Sequence, residues 1–270
     1  MGNNLLQGKK GIIFGALDEK SIAWRTALRC YEEGAQIVLT NAPVALRMGE
    51  INKLAEAINA PVIGADVTSM DDLKKLFEES VAHFGGPMDF ILHSVGMSIN
   101  MRKGKSYTEL DYNFSQKSMD ISALSLHRVL RTAWDMDALN YWGSVVALTY
   151  IAAQRVFPDY SEMADAKSLL ESIARSFGYH YGVKKHVRIN TISQSPVRTT
   201  AGSGVKGFDG FMEYAEKMSP LGNASSDDCA NYCVMMFSDM TRMVTMQNLF
   251  HDGGFSYTGV TEEVINQMEK

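Results

Sequence analysis

From Lys10 onward, short apolar runs alternate with longer amphipathic stretches. Gly11–Phe14, Gln36–Thr40, Val62–Ala65, Phe90–His93, Ser144–Thr149, Arg188–Ile192 and Asn248–His251 read as seven strands. Most are nearly unbroken Val, Ile, Leu and Phe, as expected of strands covered on both faces. Ile22–Glu33, Asp71–Phe84, Phe114–Trp134, Ser161–Tyr181 and Asp227–Ser238 read as helices between them. Strand and helix in alternation predict an α/β fold, a single Rossmann-like doubly wound sheet of seven mostly parallel strands with helices on both faces. No linker, repeat or low-complexity tract interrupts the 270 residues, so one domain over 1–270 is expected. The stretch Pro196–Pro220 departs from the rhythm. It combines Gly202, Ser203, Gly204, Gly207 and Gly210 with Phe208, Phe211, Met212 and Tyr214. Pliant backbone bearing apolar side chains predicts a lid, over about residues 196–220, that closes on a greasy ligand.

Charge and cysteine content narrow the partners. Lys and Arg number 26 against 31 Asp and Glu, a formal charge of −5. Phosphate neutralisation needs clustered cations, so no nucleic-acid partner is expected. The three cysteines, Cys30, Cys229 and Cys233, are too few for a disulfide framework. Cys229 and Cys233 stand four apart with no His or Cys nearby to complete a metal site, so no metal is expected. No apolar run reaches membrane-spanning length, and the opening MGNNLLQGKK has no apolar stretch of signal-peptide length. No membrane association and a cytoplasmic location are the expectations.

Three predicted strand ends carry residues suited to a nucleotide. Gly15 follows the first strand, and a helix opens near Ser21-Ile22-Ala23. Unpaired amides and the dipole of such a helix start favour a pyrophosphate, small residues let backbone approach it, and Ser21 can serve as N-cap. The turn is not G-x-G-x-x-G, and Asp18 and Glu19 would repel phosphate unless they face away. Asp66-Val67 ends the third predicted strand with a carboxylate able to accept from an adenine amino group. His93-Ser94-Val95-Gly96 ends the fourth, where Gly96 would let a ribose lie against bare backbone. Ligands in open α/β sheets sit in the crevice beyond the carboxyl ends of the strands. After the second strand, Thr40-Asn41-Ala42-Pro43 offers no immediate Arg to clamp a 2′-phosphate, and Arg47 is the nearest cation. NADH is expected rather than NADPH.

The fifth strand leads into LTYIAAQRVFPDYSEMADAKSLLE. Tyr150 stands at the strand end, Tyr160 at the predicted helix start and Lys167 within that helix. Seven residues apart, Tyr160 and Lys167 would project from one helical face. A nearby ammonium would lower the phenol's pKa and strengthen its bond to a developing oxyanion, chemistry suited to hydride addition to a carbonyl or conjugated system.

With these motifs in place, the chain resembles a short-chain dehydrogenase/reductase, and within that superfamily the NADH-type enoyl-acyl-carrier-protein reductases. The likeness covers essentially the whole chain, including Arg188–Gly204 and His251–Ser256. Its most specific feature is the tyrosine–lysine spacing. Most superfamily members place Lys four residues after Tyr, where Ala164 stands here; six intervening residues and a second tyrosine ten positions upstream are the enoyl reductase pattern. The resemblance implies reduction of the C2=C3 bond of a trans-2-enoyl thioester on acyl carrier protein, by hydride from NADH. It assigns Tyr160 to the thioester carbonyl, Lys167 to the nicotinamide ribose and Tyr150 to the pocket wall. Val197 and Thr199 would touch the nicotinamide carboxamide and pyrophosphate. Met163 would line the acyl pocket, with Phe208 and Met212 in the lid. Gln194-Ser195-Pro196 departs from the Ala-Gly-Pro of many relatives, and Ala42 from the glutamine they often set against adenosine. The long helices resemble those through which the family forms homotetramers. A 3-ketoacyl or alcohol dehydrogenase, or a non-catalytic nucleotide-binding relative, is the alternative.

Overall fold

The computed structural model describes residues 3–47, 50–200 and 207–269. The chain begins with β1 (Lys10–Phe14), α1 (Ile22–Glu32), β2 (Gln36–Thr40), α2 (Pro43–Leu46), α3 (Glu50–Ala57) and α4 (Met70–Phe84). It continues through β3 (Met88–His93), α5 (Ile99–Arg102), α6 (Tyr112–Met119), α7 (Ser125–Asp135) and β4 (Leu139–Thr149). The remainder is α8 (Met163–Lys185), β5 (Arg188–Gln194), α9 (Phe208–Met218), α10 (Ser226–Phe237), β6 (Asn248–His251) and α11 (Glu262–Met268).

Among the described residues, six strands form one sheet in the order β2-β1-β3-β4-β5-β6. Every neighbouring pair is parallel. The expected seventh strand, Val62–Ala65, is corrected: it makes a single bridge, Leu39 to Val62, at the outer edge of β2. Pro61 has no N–H to give, and β2 ends at Thr40, so the ladder has little to extend along.

Period-two alternation divides the strand side chains between two cores, which is why the strands read as unbroken apolar runs. Ile12, Phe14, Ile91 and Val145 face α4, α7 and α8 through Leu73, Phe77, Leu126 and Leu170. Ile13, Leu39, Phe90, Leu92 and Val146 face α1 and α10 through Trp24, Ala27, Cys233 and Phe237. A third, smaller cluster at the carboxyl edge joins Tyr150, Ile151, Ala215, Met218 and Phe255, with Phe157, Tyr160 and Phe211 against it.

Two predicted helices change form. Phe114–Trp134 is not one regular helix, because a π-helical turn at Asp120–Leu124 separates α6 from α7. That turn delivers Ser122, whose hydroxyl bonds both the N–H and the carbonyl of Met97, and Ser125, whose hydroxyl lies 2.9 Å from His93 Nε2. The Ser161–Tyr181 helix begins only at Met163. Tyr160 therefore stands in a 3₁₀ turn, Pro158–Tyr160, ahead of the helix. The expectation that Tyr160 and Lys167 share a helical face is corrected: the turn, not helical periodicity, brings them to one cavity.

Candidate active site

The cavity opens at the carboxyl ends of β1, β3, β4 and β5 and encloses about 810 Å³. Its lining changes character along its length. One end is built from backbone and small side chains: Gly15, Ser21 and Ile22 from the β1–α1 turn, Asp66 and Val67, and Ser94 and Gly96 after β3. The other end is aromatic and sulfur-rich, with Tyr150, Phe157, Tyr160, Met163, Phe208 and Phe211.

At the first end, Gly15 has φ +94, and a Cβ there would lie 2.0 Å from the Ser94 carbonyl oxygen. Only glycine lets the β1 turn approach the β3 loop this closely. Gly15→Ala should cost at least about 2 kcal/mol of stability and weaken NADH binding. Urea unfolding and an NADH titration check this; an unchanged unfolding midpoint would contradict it. Ser21 caps α1, accepting from Trp24 N at 3.3 Å while donating to the Asp18 carbonyl at 2.8 Å. Asp18 borders the cavity and is held by Lys20 N and the Thr200 hydroxyl, whereas Glu19 is exposed. The exposed Asp66 carboxylate accepts from Thr68 N at 2.9 Å and the Thr68 hydroxyl at 2.7 Å, which fixes its rotamer at the cavity rim.

Lys167 is nearly sealed. Its ammonium donates to the Leu148 carbonyl at 2.9 Å and reaches the Val95 carbonyl at 3.5 Å. A Cβ on Gly96 would stand 3.7 Å from Nζ, so the absence of a side chain there keeps the ammonium open to the cavity. Burial lowers the Lys167 pKa to about 8, with Glu171 one turn along the helix partly offsetting the shift. Burial likewise raises the Glu171 carboxyl, opposed by bonds from the Thr149 hydroxyl and Gln154 amide. His93, fully buried beneath Lys167, is pushed down to about 3 by burial and by that ammonium, so it is neutral.

The tyrosines form an aromatic wall. The Tyr150 ring lies 5.2 Å from Tyr160 and 5.6 Å from Phe157, and Phe211 meets Tyr150 edge-on at 6.0 Å. Burial raises both phenols above the ordinary range. The expected lowering of the Tyr160 pKa is corrected: desolvation in this apolar corner governs the phenol. At neutral pH Tyr160 is a protonated hydrogen-bond donor, not an incipient phenolate.

Gln194 ends β5 at the cavity margin, and Ser195, Val197 and Thr199 follow it there. Gln194 lies 2.7 Å from His251 Nδ1, and the Ser195 hydroxyl accepts from Ala224 N, so the unusual serine is tied to the segment before α10. Ala42 lines the cavity beside Asn41. Met212 is corrected: it lies outside the lining, and Phe211, one residue earlier on α9, takes that place beside Phe208. Gly202, Ser203 and Gly204 of the expected lid lie outside the described residues. Sequence reasoning missed Phe157 and Ser98, which also border the cavity. Among the described residues, no cluster of His, Cys, Asp and Glu could hold a metal ion, and no helix is long and apolar enough to cross a membrane.

A cleft with small residues and helix-start amides at one end and an aromatic trough at the other fits a dinucleotide laid along the strand ends against an apolar substrate. That is the arrangement of a nicotinamide-dependent reductase. Residues 15–256 match the family model described as Enoyl-(Acyl carrier protein) reductase. Enoyl-[acyl-carrier-protein] reductase [NADH] 2 of Rhizobium meliloti is 31% identical, over 96% of this chain and 95% of that protein. The NADH enzyme FabI of Aquifex aeolicus is 32% identical, over 95% of this chain and 94% of its own length. The crystal structure of the FabI–NADH complex from Alistipes finegoldii is similar with TM-score 0.94 and 61% identity, covering 96% of this chain and 91% of that one. The chain belongs to the enoyl-acyl-carrier-protein reductase family.

Proposed function

We propose that the protein reduces the C2=C3 double bond of trans-2-enoyl thioesters on acyl carrier protein, using NADH, the last step of the fatty-acid elongation cycle. The observation that carries this reading is the convergence of Tyr160, Lys167 and Tyr150 on one cavity with an apolar end. NADH supplies a hydride to C3 of the enoyl group. As that bond forms, negative charge collects on the thioester oxygen, and the protonated Tyr160 hydroxyl donates to it; the resulting enolate then takes a proton at C2. Lys167 holds the ribose hydroxyls through the ammonium face left open by Gly96. Gly15, Ser21, Ile22, Asp66, Val67, Ser94, Val197 and Thr199 border the remainder of the nucleotide. Tyr150, Met163 and Phe208 shape the acyl trough and keep it dry.

The α9 segment acts as the substrate lid, a role supported by Phe211 packing edge-on against Phe157 at 5.3 Å above the trough. A homotetramer is the assembly we favour, supported by Tyr179 and Val183, which stand exposed one turn apart on α8; sedimentation would report it. The working compartment is the cytoplasm.

A 3-ketoacyl thioester reductase requires the lysine four residues after the tyrosine. Ala164 occupies that position and packs into the aromatic cluster with Tyr160. Mixing the protein with NADH and crotonyl-CoA or acetoacetyl-CoA tests the choice. Loss of reduced-nicotinamide absorbance with the enoyl thioester alone is expected. Oxidation with only the ketoacyl thioester would overturn the proposal.

A further inference from the structure

Glu162 is a carboxylate where none is expected. It follows Tyr160 by two residues and is 1% exposed, and among the described residues its charge is held by hydroxyls and an amide rather than by a cation. Its side-chain donors are serine hydroxyls, joined by its own backbone N–H. Oε1 accepts from Ser98 at 2.8 Å and from Ser118 at 2.5 Å, while Oε2 accepts from Ser161 at 2.8 Å. The three serines come from three different segments of the chain. Ser98 lines it directly and caps α5, accepting from Met101 N at 3.0 Å. Ser118 sits near the end of α6. Ser161 lies between Tyr160 and Glu162 with φ 52 and ψ −148, a conformation that side-chain-bearing residues rarely hold.

A buried charge is costly unless it is fully hydrogen-bonded, and hydroxyls donating to a carboxylate make stronger bonds than neutral pairs. The position just before α8 adds the favourable end of that helix's dipole. The carboxylate thus has three hydroxyl donors, its own backbone N–H and a dipole, enough to remain charged in a site of low polarity. What this arrangement fixes is the path of the backbone from the Tyr160 turn into α8. Ser161 takes its unusual conformation, and with it Tyr160 leaves the helix axis and turns toward the trough.

We propose that Glu162 is a positioning residue: its carboxylate, anchored to Ser98 and Ser118, holds the Ser161 turn so that the Tyr160 hydroxyl meets the substrate carbonyl. The inference rests on the role given above to Tyr160. Without the carboxylate the turn relaxes and Tyr160 loses its aim, while Lys167, a full turn inside α8 and tied to the Leu148 carbonyl, keeps its place at the nucleotide end of the cavity.

The test is a double-mutant cycle. Glu162→Gln should lower kcat about tenfold with the Kd for NADH, read by fluorescence, within about twofold. In the Tyr160→Phe background the same substitution should have almost no further effect, because there is no hydroxyl left to aim. Should Glu162→Gln fail to fold, Ser118→Ala removes one anchor and should show the same pattern at smaller amplitude. An unchanged kcat overturns the proposal, and so does a fall of equal size in both backgrounds, the mark of a merely structural role. If Tyr160→Phe itself costs nothing, the tyrosine assignment fails first and this inference with it. A loss in Tyr160→Phe beside a normal Glu162→Gln removes the anchor alone.

Discussion

Tyr160→Phe is expected to lower kcat by about two orders of magnitude, with the Kd for NADH almost unchanged. Removing one donor to a developing oxyanion commonly costs about 10²–10³ in turnover, because such a bond strengthens as charge builds on the oxygen. The Tyr160 phenol is held above its ordinary pKa by burial, so its proton is in place throughout the neutral range. Turnover should therefore show no step from this group between weakly acidic and weakly alkaline pH. Stopped-flow measurement of kcat beside an equilibrium NADH titration separates the effects. An equal loss in turnover and in cofactor affinity would contradict the oxyanion role.

Lys167→Met is expected to produce the opposite split, weakening NADH by about one to two orders of magnitude as charged donors to the ribose disappear. The pH dependence supplies an independent check. Burial lowers this lysine to about 8, so in the folded protein it is an ammonium below that value and an amine above it. NADH affinity of the parent protein should accordingly decline as pH rises through about 8, and the methionine variant should show no such step. Affinity unaffected by the substitution would remove the ribose assignment.

The features that were legible in the sequence are those governed by repeated, local pattern. β1 to β6 all overlap predicted apolar runs, because most of these strands are covered on both faces and carry few polar positions. α1 starts at the expected serine cap, Ser21, and the structure shows the same device at Ser69 before α4 and Ser225 before α10, neither of which is among the caps expected from the sequence. The cavity-bordering residues at strand ends were accessible for a related reason: the fold class fixes where strand ends meet.

What escaped depends on context that no local pattern carries. A π turn inserts an extra residue into a helix without altering the apolar spacing enough to be seen, so the break at Asp120–Leu124 stayed hidden inside Phe114–Trp134. The Val62–Ala65 run is apolar because Ile63 and Ala65 are buried, but pairing needs a partner that continues, and β2 stops. Phe211 and Met212 are adjacent on α9, and which faces the trough follows from how that helix crosses Tyr150, a tertiary relation. Glu162 is the clearest case. Glutamate in a polar segment reads as a solvated side chain, and two of its three serine donors come from positions 64 and 44 residues away.

The most direct measurement is a crystal structure of the protein with oxidised NAD and an unreacted enoyl thioester. The account predicts Tyr160 Oη at about 3 Å from the thioester carbonyl oxygen, Lys167 Nζ at the nicotinamide ribose hydroxyls, and the acyl chain beneath Phe208 and Phe211. A nicotinamide ring seated away from Lys167, or a thioester carbonyl that meets some donor other than Tyr160, would contradict it.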